Sequence, residues 1–337
     1  MILVESHEGD DHLTPVRTEL ERRGHDVVVL DSGRYPLATA VTVAYDDGDA
    51  PALAVTVDGK EHDLTDCRAA WWRRPLPYTL DPSVTDPAAQ VFALTESDEG
   101  LRGLRALLPA VWVNDPDADT RASHKAYQLR EARRAGLVTP RTVMTNDPDR
   151  ARAFVAAHGP GRTVYKSFLA QVSAWRETRV LRPDEVDLLD AVRHAPVIFQ
   201  EYVPGDVDLR VTVVGDTVHT AAIHSARTAY ALDFRLELDT VPMEPTALPA
   251  PVHDAVLRLM RRLGLVYGAI DLRVRPDGEH VFFEVNPSGQ WLFVEERTGL
   301  PLTRTFVDVL AGLDRDPADG CVTCEQNRAA PADGRPA

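Results

Sequence analysis

The stretch Gly268–Pro287 reads GAIDLRVRPDGEHVFFEVNP. Asp277-Gly278, flanked by alternating apolar residues, signals a two-residue hairpin turn. With those two residues as the loop, Pro276 opposes Glu279 and Asp271 faces Glu284. Opposed residues share a sheet face, and Asn286, two positions past Glu284, joins them. Like charges placed opposite each other destabilise a sheet, so the pair calls for a cation. Hard oxygen donors on a rigid hairpin suit magnesium, which keeps waters and phosphates among its ligands. Ile270, Leu272, Val274, Val281, Phe283 and Val285 are expected on the opposite face, toward the core. The competing reading is an ordinary ion pair, with Arg273, diagonal to Glu284, balancing solvated carboxylates.

Working upstream, VIFQEYVPGDVDLRV (Val197–Val211) holds a strand, an acidic exit and a second acid, Asp208. Main-chain groups of Glu201, Tyr202 and Val203 suit a purine edge, and Asp208 suits ribose hydroxyls. Arg210, on the same face as Asp208, is placed to reach phosphate or acyl phosphate as a bidentate donor. The alternative is an edge strand carrying solvated acids. Only three of the 37 basic residues are lysine, namely Lys60, Lys125 and Lys166. Lys125 opens a helical pattern and Lys166 closes a β-type run, and each could carry a compact charge to phosphate. No GxxxxGK[ST] run occurs, which argues against a P-loop enzyme.

The 337 residues carry a net charge of −15 and 44% hydrophobic residues. This composition supports a globular chain of two or three lobes and argues against general nucleic-acid binding. No apolar run suits a membrane span, and the first residues lack a secretory pattern, so a cytoplasmic protein is expected. Cys67, Cys321 and Cys324 are too few for a disulfide framework, and the lone Cys321/Cys324 pair lacks further metal ligands.

Strands are expected at 2–5, 27–30, 41–45, 53–57 (around a DDGD turn), 69–73 and 111–113, with helices at 13–23 and 84–108. A helix at 120–135 then leads to a small set of strands. Further on come a Gly-first hairpin turn at Gly215-Asp216, a helix at 252–263, the hairpin above and a last helix at 301–311. The tail 314–337 has no apolar periodicity and is expected to be disordered.

Taken in order, Lys125, Lys166, QEYVPGDVDLR, GAID and FFEVNPSGQW resemble the ATP-grasp superfamily over residues 1–313. The resemblance implies an α/β fold with α+β lobes: a pre-ATP-grasp α/β lobe (1–116), a small central lobe (117–196) and a C-terminal mixed-sheet lobe (197–313). It further implies that Lys125 and Lys166 contact nucleotide phosphates, Glu201 and Val203 bind adenine, and Asp208 binds ribose. Asp271, Glu284 and Asn286 would hold Mg2+. Within the superfamily, AAWWRRP, TPRTVMTNDP and NPSGQWLFVEERTGLPL are similar to the maturases of ribosomal peptides of the microviridin type, the graspetide synthetases. Those enzymes convert an Asp or Glu side chain of a precursor peptide into an acyl phosphate and join it to another side chain. By that resemblance ATP, Mg2+ and a precursor peptide are expected, with a homodimer. Arg210 and Arg273 are the candidates for offsetting charge at the acyl phosphate. Arg73, Arg74, His224, Arg227 and Asp233 are candidates for the peptide, whereas packing at a lobe surface is the other reading of Trp71-Trp72. An amino-acid or dipeptide ligase of the same fold and a non-catalytic nucleotide-binding regulator are the alternatives.

Overall fold

The computed structural model describes residues 1–45, 50–168, 178–225 and 241–315. The chain divides into two compact units, Met1–Pro116 with Thr303–Ala337, and Asp117–Leu302.

The first unit is built on a parallel sheet ordered β2-β1-β6-β7, from β1 (Ile2–Glu5), β2 (Val27–Leu30), β6 (Ala69–Trp72) and β7 (Val111–Val113). β3 (Thr39–Ala44), β4 (Ala52–Val57) and β5 (Lys60–Asp63) form a separate antiparallel sheet. The DDGD turn expected between β3 and β4 falls mostly outside the described residues. Helix α1 (Leu13–Arg22) buries Leu13, Val16 and Leu20, one stripe at helical spacing. Helix α2 (Pro87–Leu107) starts at Asp86, whose carboxylate accepts from Ala89 N at 2.8 Å, with Pro87 at the first position.

The second unit holds two further sheets. One is ordered β10-β9-β11-β8, from β8 (Thr142–Thr145), β9 (Thr163–Lys166), β10 (Arg179–Val180) and β11 (Val197–Glu201). The other is ordered β14-β13-β12-β15-β16, from β12 (Val207–Val214), β13 (Thr217–Ile223), β14 (Met243–Thr246), β15 (Tyr267–Val274) and β16 (His280–Asn286). Its helices are α3 (Pro116–Ser123, entering from the first unit), α4 (Lys125–Arg134), α5 (Pro148–His158), α6 (Ala250–Leu263) and α7 (Leu292–Thr298). One core joins Val211, Val213, Ile270, Leu272, Phe282 and Val285 of the five-stranded sheet to Val256, Leu259 and Leu263 of α6 and Leu129 of α4.

Four expectations are corrected. The strand at Val197 belongs to the small sheet, pairing with β8 and β9, and does not open the last lobe. The final helix, α8 (Leu302–Leu313), groups from Thr303 onward with the first unit. There Phe306 packs on Trp71 with ring centroids 4.8 Å apart, and Arg23 meets Asp308. The single helix expected at 120–135 is two helices, because His124 is extended (ψ 112°). Ser123 Oγ donates back to the Asp119 carbonyl at 3.0 Å, a local bond that competes with helix continuation. Fourth, the hairpin of β15 and β16 has a three-residue loop. Arg275 N bonds Glu279 O, Gly278 N bonds Arg275 O, and Gly278 sits at φ 86°, a turn followed by a left-handed glycine. The Gly215-Asp216 turn does form as expected, with Gly215 at φ 59° between the paired Val214 and Thr217.

Candidate active site

The longer loop shifts pairing by one residue near the turn, so that Leu272 faces Phe282 and Val274 faces His280. A β-bulge then restores the register, leaving Phe283 without a partner in the ladder, and Asp271 faces Glu284 as expected. The bulge also exchanges the phenylalanines. Phe282, not Phe283, enters the core, while the Phe283 ring lies 5.7 Å from the Arg273 guanidinium carbon.

Three strands align charges on one face. Arg210 on β12 is in register with Asp271 on β15, which is in register with Glu284 on β16. Arg210 Nη1 donates to Asp271 Oδ1 at 2.8 Å, and Lys125 Nζ lies 2.7 Å from Glu284 Oε2. The row therefore runs cation, anion, anion, cation. The helix break puts Lys125 at the start of α4, where the helix dipole disfavours a cation, and Glu284 compensates. Burial alone would lower the pKa of Arg210, but the charge and hydrogen bond of Asp271 outweigh it and raise it, so Arg210 stays charged.

Asp271, Glu284 and the exposed amide of Asn286 form an all-oxygen donor set suited to Mg2+. Asn286 Oδ1 accepts from Ser288 N at 3.0 Å and keeps a second lone pair for a cation. The residues thus fit the ion.

The loop after Asn286 is fastened over the sheet by Arg210 and by groups that motif reading did not single out. Arg210 Nη2 donates to the Gln290 carbonyl at 3.0 Å, and Tyr267 donates its hydroxyl to the Gly289 carbonyl at 2.8 Å. A Cβ on Gly289 would collide with Ala269 Cβ and lie 3.2 Å from Arg210 Nη2. Gln128, fully buried, donates to Ala122 O at 2.6 Å and Val285 O at 2.8 Å and accepts from Val285 N at 3.1 Å. It ties α4 to the strand carrying Glu284. A glutamine within the apolar stripe of a helix was the available signal.

On the neighbouring row, Asp208 on β12 is in register with Arg273 on β15. Arg273 donates to both Asp208 oxygens, Nε at 2.7 Å and Nη2 at 2.8 Å, and its Nη1 lies 3.4 Å from Val203 O. Both side chains are about 95% buried. Arg273 is therefore a positioning residue for Asp208, neither the partner of Glu284 nor a group directed at an acyl phosphate. Glu201 pairs with Arg275 at 3.0 Å. Its N–H and that of Tyr202 bond Arg141 O and Arg162 O, whereas no described residue accepts from the Val203 N–H. Lys166 lies opposite Ile198 in the small sheet.

The peptide candidates fare differently. Arg73 is 1% exposed, with Nε on Asp10 at 3.0 Å and Nη2 on His12 Nδ1 at 3.0 Å, so it holds the first unit together and presents no free face to a peptide. Burial and the Arg73 charge push the His12 pKa down. Arg74 follows in left-handed backbone (φ 47°), half-buried. Trp71 packs on Phe306, and Trp72 meets Trp112 edge-on, as the packing reading expects. His224 meets Glu244 at 3.0 Å. Arg227, Asp233, Cys321 and Cys324 lie outside the described residues, as does the tail from 316 onward.

Residues 1–120 match the family described as the MvdD pre-ATP grasp domain. No curated protein sequence matches the chain. Among solved structures, it is similar to the macrocyclase MdnC of Microcystis aeruginosa MRC, bound with the precursor peptide MdnA, at TM-score 0.81 and 28% identity over 92% of this chain and 99% of that one. A RiPP-associated ATP-grasp ligase of Chryseobacterium gregarium, in complex with ADP and a leader and core peptide, matches at 0.83 and 26% identity over 92% and 96%. The macrocyclase MdnB of Microcystis aeruginosa MRC matches at 0.76 and 26% over 92% and 98%. The fold and site define an ATP-grasp ligase. Within that class the chain is a peptide maturase.

Proposed function

We propose that this chain uses ATP to activate Asp or Glu side chains of a ribosomally made precursor peptide and to close side-chain ester or amide rings. The carrying observation is the row Lys125–Glu284–Asp271–Arg210, a metal-competent carboxylate pair flanked by two cations. It sits on a chain similar throughout to ligases solved with precursor peptide or with ADP.

A peptide carboxylate oxygen attacks the terminal phosphorus of ATP, the bridging P–O bond breaks, and ADP leaves. A hydroxyl or amine of the same peptide then attacks the acyl carbon, loses its proton and expels inorganic phosphate, so each ring costs the peptide one water. Asp271, Glu284 and Asn286 would hold Mg2+, which supplies charge neutralisation for the phosphates. Lys125 and Lys166 are assigned to the phosphates, Glu201, Tyr202 and Val203 to adenine, and Asp208 to ribose. Arg210 keeps the Gln290 loop closed against the carboxylate row, and its charge faces the side where phosphate negative charge grows. Arg74, His224, Arg227 and Asp233 are assigned to the peptide. A cytoplasmic homodimer completes the reading; among the described residues no helix is long and apolar enough to cross a membrane.

Mass spectrometry with the cognate precursor, ATP and Mg2+ tests the chemistry. Successive losses of water with ADP and phosphate release are expected, and light scattering should give twice the chain mass. A peptide that gains an amino-acid residue, or stoichiometric AMP, would overturn the reading.

A further inference from the structure

A groove of about 490 Å3 runs along the outer side of α4, lined by Leu129, Arg130, Arg133 and Arg134 and by Thr142 and Met144 of the edge strand β8. Its floor is apolar and its wall is cationic. A single carboxylate, Glu131, serves three guanidinium groups: Arg130 Nε at 2.7 Å, Arg134 Nη1 at 3.0 Å and Arg262 Nε at 2.8 Å. Arg133 donates to Thr139 Oγ1 at 2.6 Å, and no described carboxylate meets it. The cluster therefore keeps surplus positive charge, on a chain whose net charge is −15. Arg130 and Arg134 are more than half exposed, so their outward donors face the groove and solvent.

Guanidinium forks suit carboxylates, and a local positive patch on an acidic protein is a recognition feature rather than a general one. From Ala126 to Arg134, eight steps of helix span about 12 Å, the length of about four extended residues. Ala126 adjoins Lys125, which touches the carboxylate row, so one end of the groove lies beside the reaction centre. We propose that this groove binds an acidic stretch of the peptide substrate and leads its next carboxyl toward the Lys125 end. The proposal rests on the peptide-substrate reading above.

The test uses the full chain and a fluorescein-labelled hexaglutamate peptide, with hexaglutamine as control, read by fluorescence anisotropy at low and high salt. Hexaglutamate should bind in a salt-sensitive way and hexaglutamine at least about tenfold more weakly. Arg130→Gln/Arg134→Gln should weaken hexaglutamate at least about tenfold while leaving binding of a fluorescent ATP analogue unchanged. Because that pair also touches buried Glu131, Ala126→Glu gives a second reading: it adds a repelling carboxylate to the groove wall and breaks no ion pair, and the same loss is expected. Equal binding by Ala126→Glu and the parent, equal binding of the two peptides, or conversion of a dimer to a monomer by Ala126→Glu would overturn the groove assignment. If the variants lose hexaglutamate but the parent makes no ADP with a precursor, the groove stands and the ligase reading fails; if ADP forms and the variants bind as the parent does, the reverse holds.

Discussion

Arg273 grips Asp208 by both carboxylate oxygens, at 2.7 and 2.8 Å, across adjacent strands of the five-stranded sheet. Burial would lower the Arg273 pKa, but the Asp208 hydrogen bonds and charge outweigh it and raise it, so Arg273 stays charged. Breaking one side of a buried ion pair strands the other charge and costs about 3–5 kcal/mol. Arg273→Leu is expected to lower the melting temperature and to raise KM for ATP several-fold, because Asp208 loses its orientation. Arg273→Lys, which keeps the charge but not the fork, should fall between. Thermal melts with and without ATP, paired with KM measurements, check this; parental stability in Arg273→Leu would refute it.

Glu284 lies on the partly exposed face, 21% accessible, and its neighbours Phe282 and Val285 carry the packing. Glu284→Gln should therefore leave circular dichroism unchanged while ADP formation falls at least about a hundredfold and its Mg2+ dependence shifts to higher concentration. Parental turnover in this variant would remove Glu284 from the metal site.

At Gly289 a methyl group has nowhere to go, with Ala269 on one side and Arg210 on the other. Overpacking of this kind typically costs about 1–3 kcal/mol. Gly289→Ala is expected to lower kcat more than it raises KM for ATP, since the displaced loop carries the Gln290 carbonyl that Arg210 holds. An unchanged kcat would mean that the loop is not part of the catalytic frame.

In the first unit, burial pushes the Asp10 carboxyl up, but the His12 hydrogen bond and the Arg73 charge outweigh it and hold its pKa far below the usual carboxylate range. A depressed carboxylate contributes stability above its unfolded pKa, near 4, and that contribution is lost as pH falls toward the folded value. Urea titrations should show Asp10→Asn less stable than the parent at pH 7, with the difference shrinking below about pH 4. A difference that stays constant from pH 7 to pH 2 would contradict the assignment.

Much of the fold was readable because short apolar runs closed by turn residues have few other uses. Ile2–Glu5, Val27–Leu30 and Val111–Val113 are strands with the expected limits. Lys60–Asp63 and Met243–Thr246 were not readable, because these strands carry KEHD and MEPT, which show no apolar alternation. In α8, Phe306, Val307 and Leu310 announce a buried face but not the partner, so its place with the first unit needed the structure. The pairing of Asp271 with Glu284 was foreseen from the Asp277-Gly278 turn, though through a two-residue loop and no bulge. The ionic partners were not: Arg273 turned to Asp208 and Lys125 to Glu284, since spacing along one strand says nothing about neighbours on the next.

The hairpin reached the expected pairing of Asp271 and Glu284 through two offsets that cancel, one in the Pro276–Gly278 loop and one at Phe283. Each acts like a half-step in a two-beat rhythm, and alone either would put Glu284 on the face opposite Asp271. A chain that trims this turn by one residue keeps Asp271 and Glu284 on one face only by also straightening the strand at Phe283, so the tip of the hairpin and its far end are coupled through register.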